Sequence, residues 1–270
     1  MSKLKMSTVK KQETQPVQTI KVGIILIGDE LLNGSRQDKH MAKVIQLLQA
    51  RGLNLSWVRI IADETAHIIE TLQQTFNSTE IVFSFGGIGA TPDDLTRACA
   101  AAASDVNLVK HPEAVRLIED QFGEAAYPNR ILMSELPEGA GIIPNPINQI
   151  PGFSLQQHYF VPGFPSMAWP MVEWVLDTHY AAHFNAHPDV DWRWTLTGAI
   201  ESELLGMMNT LLKKFPQVHL SSLPNTKQRH VIDFGLKGQQ KQVAEAAVWL
   251  ENYLDNSEHL GLTYTFQSHQ

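Results

Sequence analysis

The chain has 270 residues, 43% of them hydrophobic and 18% charged, with a formal net charge of -7. That apolar share excludes a disordered chain. The charges are interspersed, so no broad basic field is available to hold a nucleic-acid backbone, and no nucleic-acid partner is expected. No stretch approaches the ~20 consecutive apolar residues of a membrane span, so no membrane partner is expected either. The single cysteine, Cys99, excludes an intrachain disulfide and fits a reducing, cytoplasmic setting. Its place among alanines reads as core packing, with no activating cation beside it.

Residues 1–19 are polar and lysine-containing and lack the apolar run of a signal peptide, so a flexible tail is expected there. Residues 22–27 form a short apolar run that reads as a strand buried on both faces. Apolar residues at helical spacing predict a helix over 39–51, with Gly52 as its stop. A strand over 53–61, a helix over 65–76 and a strand over 81–85 follow. Helices are predicted over 92–103 and 115–122. Residues 137–165 are rich in proline and glycine and predict turns around short strands, notably 158–161. A helix over 166–182 comes next.

The composition turns polar around Asn185-Ala186-His187-Pro188-Asp189, which marks a domain boundary. Beyond it the pattern predicts a strand over 192–196, a helix over 201–215, strands over 218–222 and 231–236, and a helix over 241–254. The expected architecture is a three-layer α/β/α domain with a mostly parallel sheet over 20–185, then a smaller α+β domain over 190–270. So small a domain is near the lower limit of independent stability. Packing against the first domain or within a homo-oligomer is therefore expected.

The strongest chemical signal is Gly86-Gly87-Ile88-Gly89-Ala90-Thr91-Pro92-Asp93-Asp94. Three glycines within four positions let the backbone turn and approach a ligand closely. The loop leads from a predicted strand to a predicted helix N-terminus, where free N–H groups and the helix dipole favour a phosphate. Thr91 fits the N-cap, Pro92 the first helical position and Asp94 the capping-box position. The same grammar allows a purely structural reading in which Asp94 caps the helix and Asp93 pairs with Arg97. The spacing matches neither a Walker loop nor the dinucleotide fingerprint.

A second motif, Gly28-Asp29-Glu30-Leu31-Leu32-Asn33-Gly34 followed by Asp38, places carboxylates at a strand end. Such a group suits a hard cation shared with substrate phosphates, or is a solvated acidic turn. His179, His183 and His187 recur every four residues, without the carboxylate of a zinc-protease arrangement. Trp169, Trp174, Trp192 and Trp194 read as packing at the domain junction. Ser222 with His219 or His230 makes no recognisable nucleophile arrangement.

Taken together, the two motifs are similar to those of the molybdopterin-binding, or MoCF-biosynthesis, domain family. The version most resembled is that of competence/damage-inducible protein A. The family's Gly-Asp-Glu-Leu-Leu-x-Gly is Gly28 to Gly34, and of its following Asp-Thr-Asn only Asp38 is kept, with His40 in the asparagine position. Its central loop matches at Gly86 to Thr96, with Ile88 and Ala90 in place of leucine and proline. Leu136-Pro137-Glu138-Gly139, Asn145-Pro146, Pro151-Gly152 and Pro162-Gly163-Phe164-Pro165 follow in the family's order. Two stretches depart from it. Asn148-Gln149-Ile150 replaces Gly-Thr-Ala, and Met167 holds the glutamate position.

The resemblance implies a small-molecule ligand, an adenylylated pterin or another nucleoside diphosphate, with molybdopterin itself among the candidates. It implies binding by Gly28, Gly86, Gly87, Gly89, Thr91, Asn145, Pro162 and Gly163, and catalytic roles for Asp94 and Asp93. It also implies that Glu30, Asp38 and Asp94 hold a divalent ion, Mg²⁺, Mn²⁺ or Co²⁺, for hydrolysis of an ADP-ribose-like pyrophosphate. A binding protein with little turnover is the alternative.

Overall fold

The computed structural model describes residues 20–186, 188–257 and 260–269. The tail expected over 1–19, and His187 of the histidine series, lie outside the described residues. The chain divides into two units. One comprises the described part up to Leu47 and Asn54–Phe184, and the other Leu48–Leu53 and Asn185–Gln270.

The first unit is built on a six-stranded sheet. It opens with β1 (Val22–Ile27), the four-residue helix α1 (Asp29–Leu32) and α2 (His40–Gln49). Next come β2 (Leu55–Ile61), α3 (Thr65–Phe76), β3 (Ile81–Phe85) and α4 (Thr96–Ala103). A small hairpin of β4 (Leu108–Lys110) and β5 (Glu135–Pro137) brackets α5 (Pro112–Phe122). The chain returns through β6 (Gly141–Ile143), β7 (Gly152–Leu155) and β8 (His158–Val161) into α6 (Pro165–His179). Strand order is β2-β1-β3-β8-β7-β6.

The first four strands in that order are mutually parallel, and β7 and β6 run antiparallel to their neighbours. Every residue of β1, β3 and β8 is buried. That is why their sequences are apolar runs rather than alternations. Burying each large aliphatic side chain contributes about 1.5–3 kcal/mol. Edge strand β2 has no buried residue and carries Ser56 and Arg59 among its apolar positions.

The parallel arrangement decides where the site lies. The carboxyl ends of β2, β1, β3 and β8 stand side by side, so the segments starting at Ala62, Gly28, Gly86 and Pro162 emerge at one edge. From β1 the chain steps to β2 on one side and later to β3 on the other. The reversal of direction between β1 and β3 opens the crevice where ligands bind in sheets of this kind.

One predicted helix is corrected. The helix expected from Pro92 begins at Thr96. Residues 91–94 instead form a turn closed by the Asp94 N–H on the Thr91 carbonyl, 3.0 Å. The Thr96 N–H is drawn to the Gly87 carbonyl, 2.9 Å, so the chain meets the helix only there.

The second unit contains β9 (Val190–Thr197), α7 (Glu201–Lys214), β10 (His219–Pro224), β11 (Val231–Gly238), α8 (Gln240–Asp255) and β12 (Thr263–His269). Its sheet is antiparallel throughout, in the order β10-β11-β9-β12. Trp194, Leu196, Phe234 and Leu236 of the sheet pack with Leu204 and Leu211 of α7 and Leu250 of α8. Trp194 is thus a core residue of this unit, with Trp192 partly buried against the same core. Strand β12 was not expected, although Leu262, Tyr264 and Phe266 alternate as a half-buried strand should. No helix among the described residues is long and apolar enough to cross a membrane.

Candidate functional site

A cavity of about 450 Å³ lies at the strand ends of the first unit. This is within the range of small-molecule pockets, about 300–1,000 Å³. Residues 86–91 line it together with Asp93, Asp94, Glu30, Asn145, Pro162 and Gly163. Most of the sequence-predicted residues are therefore brought together. Gly28 is buried at the end of β1, where its N–H is bonded to the Ile61 carbonyl, 3.1 Å.

The shape of the glycine loop is set by its carbonyls. The Gly86 carbonyl accepts the Thr96 hydroxyl at 3.0 Å, and the Gly87 carbonyl accepts the Thr96 N–H at 2.9 Å. The Gly89 carbonyl accepts Arg97 Nη2 at 2.7 Å. In a trans peptide the N–H of the next residue points opposite to the carbonyl. Three carbonyls turned toward α4 therefore turn the N–H groups of Gly87, Ile88 and Ala90 away from it, toward the cavity these residues line. None of the three donates to a protein acceptor among the described residues. Successive outward N–H groups of this kind make an anion-binding concavity.

Glycine is required at the turn itself. Gly86 has φ 102° and Gly87 φ 68°. A Cβ at Gly86 would lie 2.6 Å from the Ile27 carbonyl oxygen, and one at Gly87 would lie 2.2 Å from Thr96 Oγ1. Neither neighbour can move: one is strand backbone and the other a fully buried side chain.

Arg97 corrects an expectation. It does not pair with Asp93. Arg97 is 8% exposed, and its guanidinium donates to the carbonyls of Leu132 (2.5 Å), Glu135 (2.9 Å) and Gly89. Burial pulls its pKa below the usual value, while Asp94 and Glu135 act in the opposite sense. The sequence grammar of a helix-surface pair misled here, because two of the three partners lie more than thirty residues away.

The Asp94 carboxylate accepts the Thr91 N–H at 2.9 Å and also the Thr91 hydroxyl. One half of the expected capping box is thus present, holding a turn rather than a helix end. Asp93 is exposed on the same cavity. Glu30 pairs with Arg36 at 3.5 Å, both side chains being largely open to solvent.

Asp63 is a site residue that the sequence reading missed. It follows β2, so the rule that pointed to the ends of β1 and β3 applies to it equally. It exchanges hydrogen bonds with Asp29. The Asp29 N–H reaches Asp63 Oδ2 at 3.0 Å, and the Asp63 N–H reaches Asp29 Oδ1 at 3.2 Å. Burial raises the Asp63 carboxyl above its ordinary value. The Asp29 N–H opposes this, and the charges of Asp29, Glu30 and Asp93 add to the rise.

Asp38 stands apart from the other expected cation ligands. Its carboxylate accepts the N–H groups of His40 (2.8 Å) and Met41 (3.0 Å), which is the work of an N-cap for α2. It lines a smaller cavity of about 190 Å³ with Glu30 and His40, not the glycine-loop cavity. Among the described residues no three His, Cys, Asp or Glu side chains gather as a metal site. The expected trio of Glu30, Asp38 and Asp94 is therefore not a ready-made cage. The donor set that does line the large cavity, Glu30, Asp63, Asp93 and Asp94, is all carboxylate. It suits a hard cation carried in on a ligand's phosphates, which needs only one or two protein carboxylates.

The two stretches that depart from the family pattern meet in the structure. Asn148 Nδ2 donates to Met167 Sδ at 3.2 Å. Asn148 Oδ1 accepts Asn145 Nδ2 at 2.7 Å and the Ile150 N–H at 3.1 Å. Asn145, 2% exposed, also accepts the Ile147 N–H. Its amide is thus engaged in shaping its own loop. The His40 imidazole donates from Nε2 to the Gly163 carbonyl, 3.2 Å, and packs on Phe85; burial lowers its pKa.

A mostly parallel sheet with a glycine loop at its switch point is the frame of an α/β ligand-binding domain. Residues 23–181 match the family described as "Probable molybdopterin binding domain", and the chain belongs to that family. Within it the chain resembles CinA. A CinA-like protein of Escherichia coli O9:H4 (strain HS) is 30% identical over 244 residues, covering 86% of this chain and 59% of that protein. The NMN amidohydrolase-like protein YfaY of Escherichia coli (strain K12) shows the same identity and coverage. The chain thus spans about three fifths of the length of these relatives. The crystal structure of CinA from Thermoplasma acidophilum, of unknown function, superposes with a TM-score of 0.54 at 22% identity. It covers 59% of this chain and 97% of its own, a likeness of fold.

Proposed function

We propose that the first unit binds a nucleoside diphosphate ester, such as ADP-ribose or an adenylylated pterin, with its pyrophosphate on the N–H groups of Gly87, Ile88 and Ala90. The observation that carries this reading is the fixing of three loop carbonyls by Thr96 and Arg97, which leaves those three N–H groups open to the cavity. The test is titration calorimetry with ADP-ribose, inorganic pyrophosphate and nicotinamide mononucleotide, each with Mg²⁺. The mononucleotide is included because one relative is named NMN amidohydrolase-like. It carries a single phosphate, so it should bind more weakly than either diphosphate. Equal or tighter binding of the mononucleotide would sink the pyrophosphate reading.

The crowding of Glu30, Asp63, Asp93 and Asp94 around the loop favours a second step, hydrolysis. Four carboxylates repel a bare diphosphate, so the ligand is expected to arrive with Mg²⁺, Mn²⁺ or Co²⁺. Such an ion polarises the phosphoryl group and lowers the pKa of an attacking water. Water would add to one phosphorus and the bridging P–O bond would break, giving AMP and ribose 5-phosphate from ADP-ribose. The loop N–H groups would stabilise the charge that develops on the phosphoryl oxygens. Release of AMP by the wild-type protein no faster than by Asp94→Ala would leave the chain a binding protein.

A further inference from the structure

The outermost strand of a sheet presents a row of unpaired N–H and C=O groups, and folded proteins guard such edges against other chains. The two larger sheets end in β2, β6, β10 and β12. Strand β2 carries Arg59 midway along its length, and its register against β1 shifts between Val22 and Gly23. Strand β6 has only three residues. Strand β10 ends in Pro224, which has no N–H to donate.

Strand β12 has none of these devices. It runs for seven residues in unbroken register with β9. Its sequence, Thr-Tyr-Thr-Phe-Gln-Ser-His, holds no proline, glycine, lysine, arginine or carboxylate. Among the described residues no backbone hydrogen bond reaches its outer side.

We propose that β12 is the contact surface for a second copy of this chain. The two β12 strands pair antiparallel about a twofold axis at Thr265 and join two four-stranded sheets into one. In that register Thr265 faces its own counterpart, and Tyr264 stands opposite the partner's Phe266.

Four features favour a second copy over another partner. Every neighbouring pair in this sheet is already antiparallel, so the twofold pairing continues its pattern. A charged peptide would find no lysine, arginine or carboxylate on β12 to read, whereas a second β12 brings none to repel. The aromatic side chains also match. Phe266 is 45% exposed although its ring lies 5.3 Å from Trp192 and 5.1 Å from Trp194, and pairing sets a tyrosine ring beside it. Finally, the twofold contact closes. Pairing β12 with β10 of the next copy would leave open edges and propagate as a filament, and Pro224 opposes it.

The strand is held in place before a partner arrives. The Phe266 ring packs on the two tryptophans, and the Tyr264 hydroxyl donates to Asp255 at 2.9 Å. Little order is then lost on pairing. A single ladder buries less than the about 1,200 Å² of a standard interface, so a dissociation constant of about 10–100 µM is expected.

The test is sedimentation equilibrium of the full chain without ligand, for wild type, Thr265→Lys, Thr265→Glu and a 1:1 mixture of the two variants. Thr265 is exposed, so both variants should keep the wild-type melting temperature at about 1 µM, well below the expected dissociation constant. The expected result is a wild-type dimer, at least about fivefold weaker in each variant, where like charges meet at the axis, and restored in the mixture, where opposite charges meet. A wild type still monomeric at about 500 µM would overturn the inference. Dimers or larger assemblies unaffected by both substitutions would overturn it too, since the interface would lie elsewhere. A mixture no more dimeric than either variant alone would overturn the pairing at Thr265.

Discussion

Arg97 Nη2 lies 2.7 Å from the Gly89 carbonyl oxygen, and this bond ties the glycine loop to α4. The same guanidinium holds Leu132 and Glu135 by their carbonyls. Arg97→Ala would leave these acceptors without their charged donor. Hydrogen bonds to charged groups contribute about 1.5–3 kcal/mol each, and stranded buried partners add to the loss. The expected destabilisation is about 3 kcal/mol by urea unfolding, with pyrophosphate binding lost. Arg97→Lys should rescue neither, because an ammonium cannot match the planar spread of a guanidinium. Full rescue by lysine would mean that charge alone is needed and that carbonyl orientation is not the mechanism.

Asp94 has two separable jobs, holding the Thr91 turn and supplying charge to the cavity. Asp94→Asn keeps an oxygen for the Thr91 N–H, whereas Asp94→Ala removes it. The alanine variant should lose about 1 kcal/mol of stability, as capping residues do, and the asparagine variant much less. AMP release from ADP-ribose should fall about 100-fold or more in both, if the carboxylate takes part in the chemistry. Retention of the rate by Asp94→Asn alone would assign the residue to the turn and remove it from catalysis.

Asp38 separates a helix cap from a cation ligand. Asn caps as well as Asp does, and Ala does not. Asp38→Asn should therefore match the wild type in thermal stability, and Asp38→Ala should lose about 1 kcal/mol. Both should keep Mg²⁺-dependent ADP-ribose binding, because Asp38 does not line the glycine-loop cavity. Loss of that binding in the asparagine variant, with stability intact, would restore Asp38 to the cation site.

These cases show what the residues disclose before folding and what they hide. Strands β1, β3 and β8 were legible because burial on both faces writes itself as an unbroken apolar run. From them the loop 86–94 could be placed at a strand end. The three-residue strands β4, β5 and β6 have no period to read. The cap at Asp38 was available in local grammar, two residues before His40, yet its nearness in sequence to Asp29 and Glu30 drew it toward a metal. Arg97 could not have been read at all. Its partners at 132 and 135 are brought to it by the fold, and i to i+4 spacing suggested Asp93 instead. The contact between Asn148 and Met167 is of the same kind. Each was visible as a departure from the family pattern, but only the structure joins them.

Asp63 gives the site a pH signature. Its carboxyl is raised above the ordinary 3.8, first by burial and then by the charges of Asp29, Glu30 and Asp93. A raised native-state value means that the folded protein holds this proton more tightly than the unfolded chain does. The ionised group therefore destabilises the fold above its native value. The penalty shrinks as pH falls through that value and is absent below 3.8. Asp63→Asn keeps an acceptor for the Asp29 N–H while removing the charge, so it should melt higher than the wild type at about pH 7. The gap should narrow in acid, as the wild-type carboxyl takes up its proton. Mg²⁺ with a diphosphate relieves the same repulsion, so its stabilising effect at neutral pH should be smaller in Asp63→Asn than in the wild type. A melting difference that stays constant between about pH 7 and pH 4 would show that the like charges at the strand ends do not strain the site.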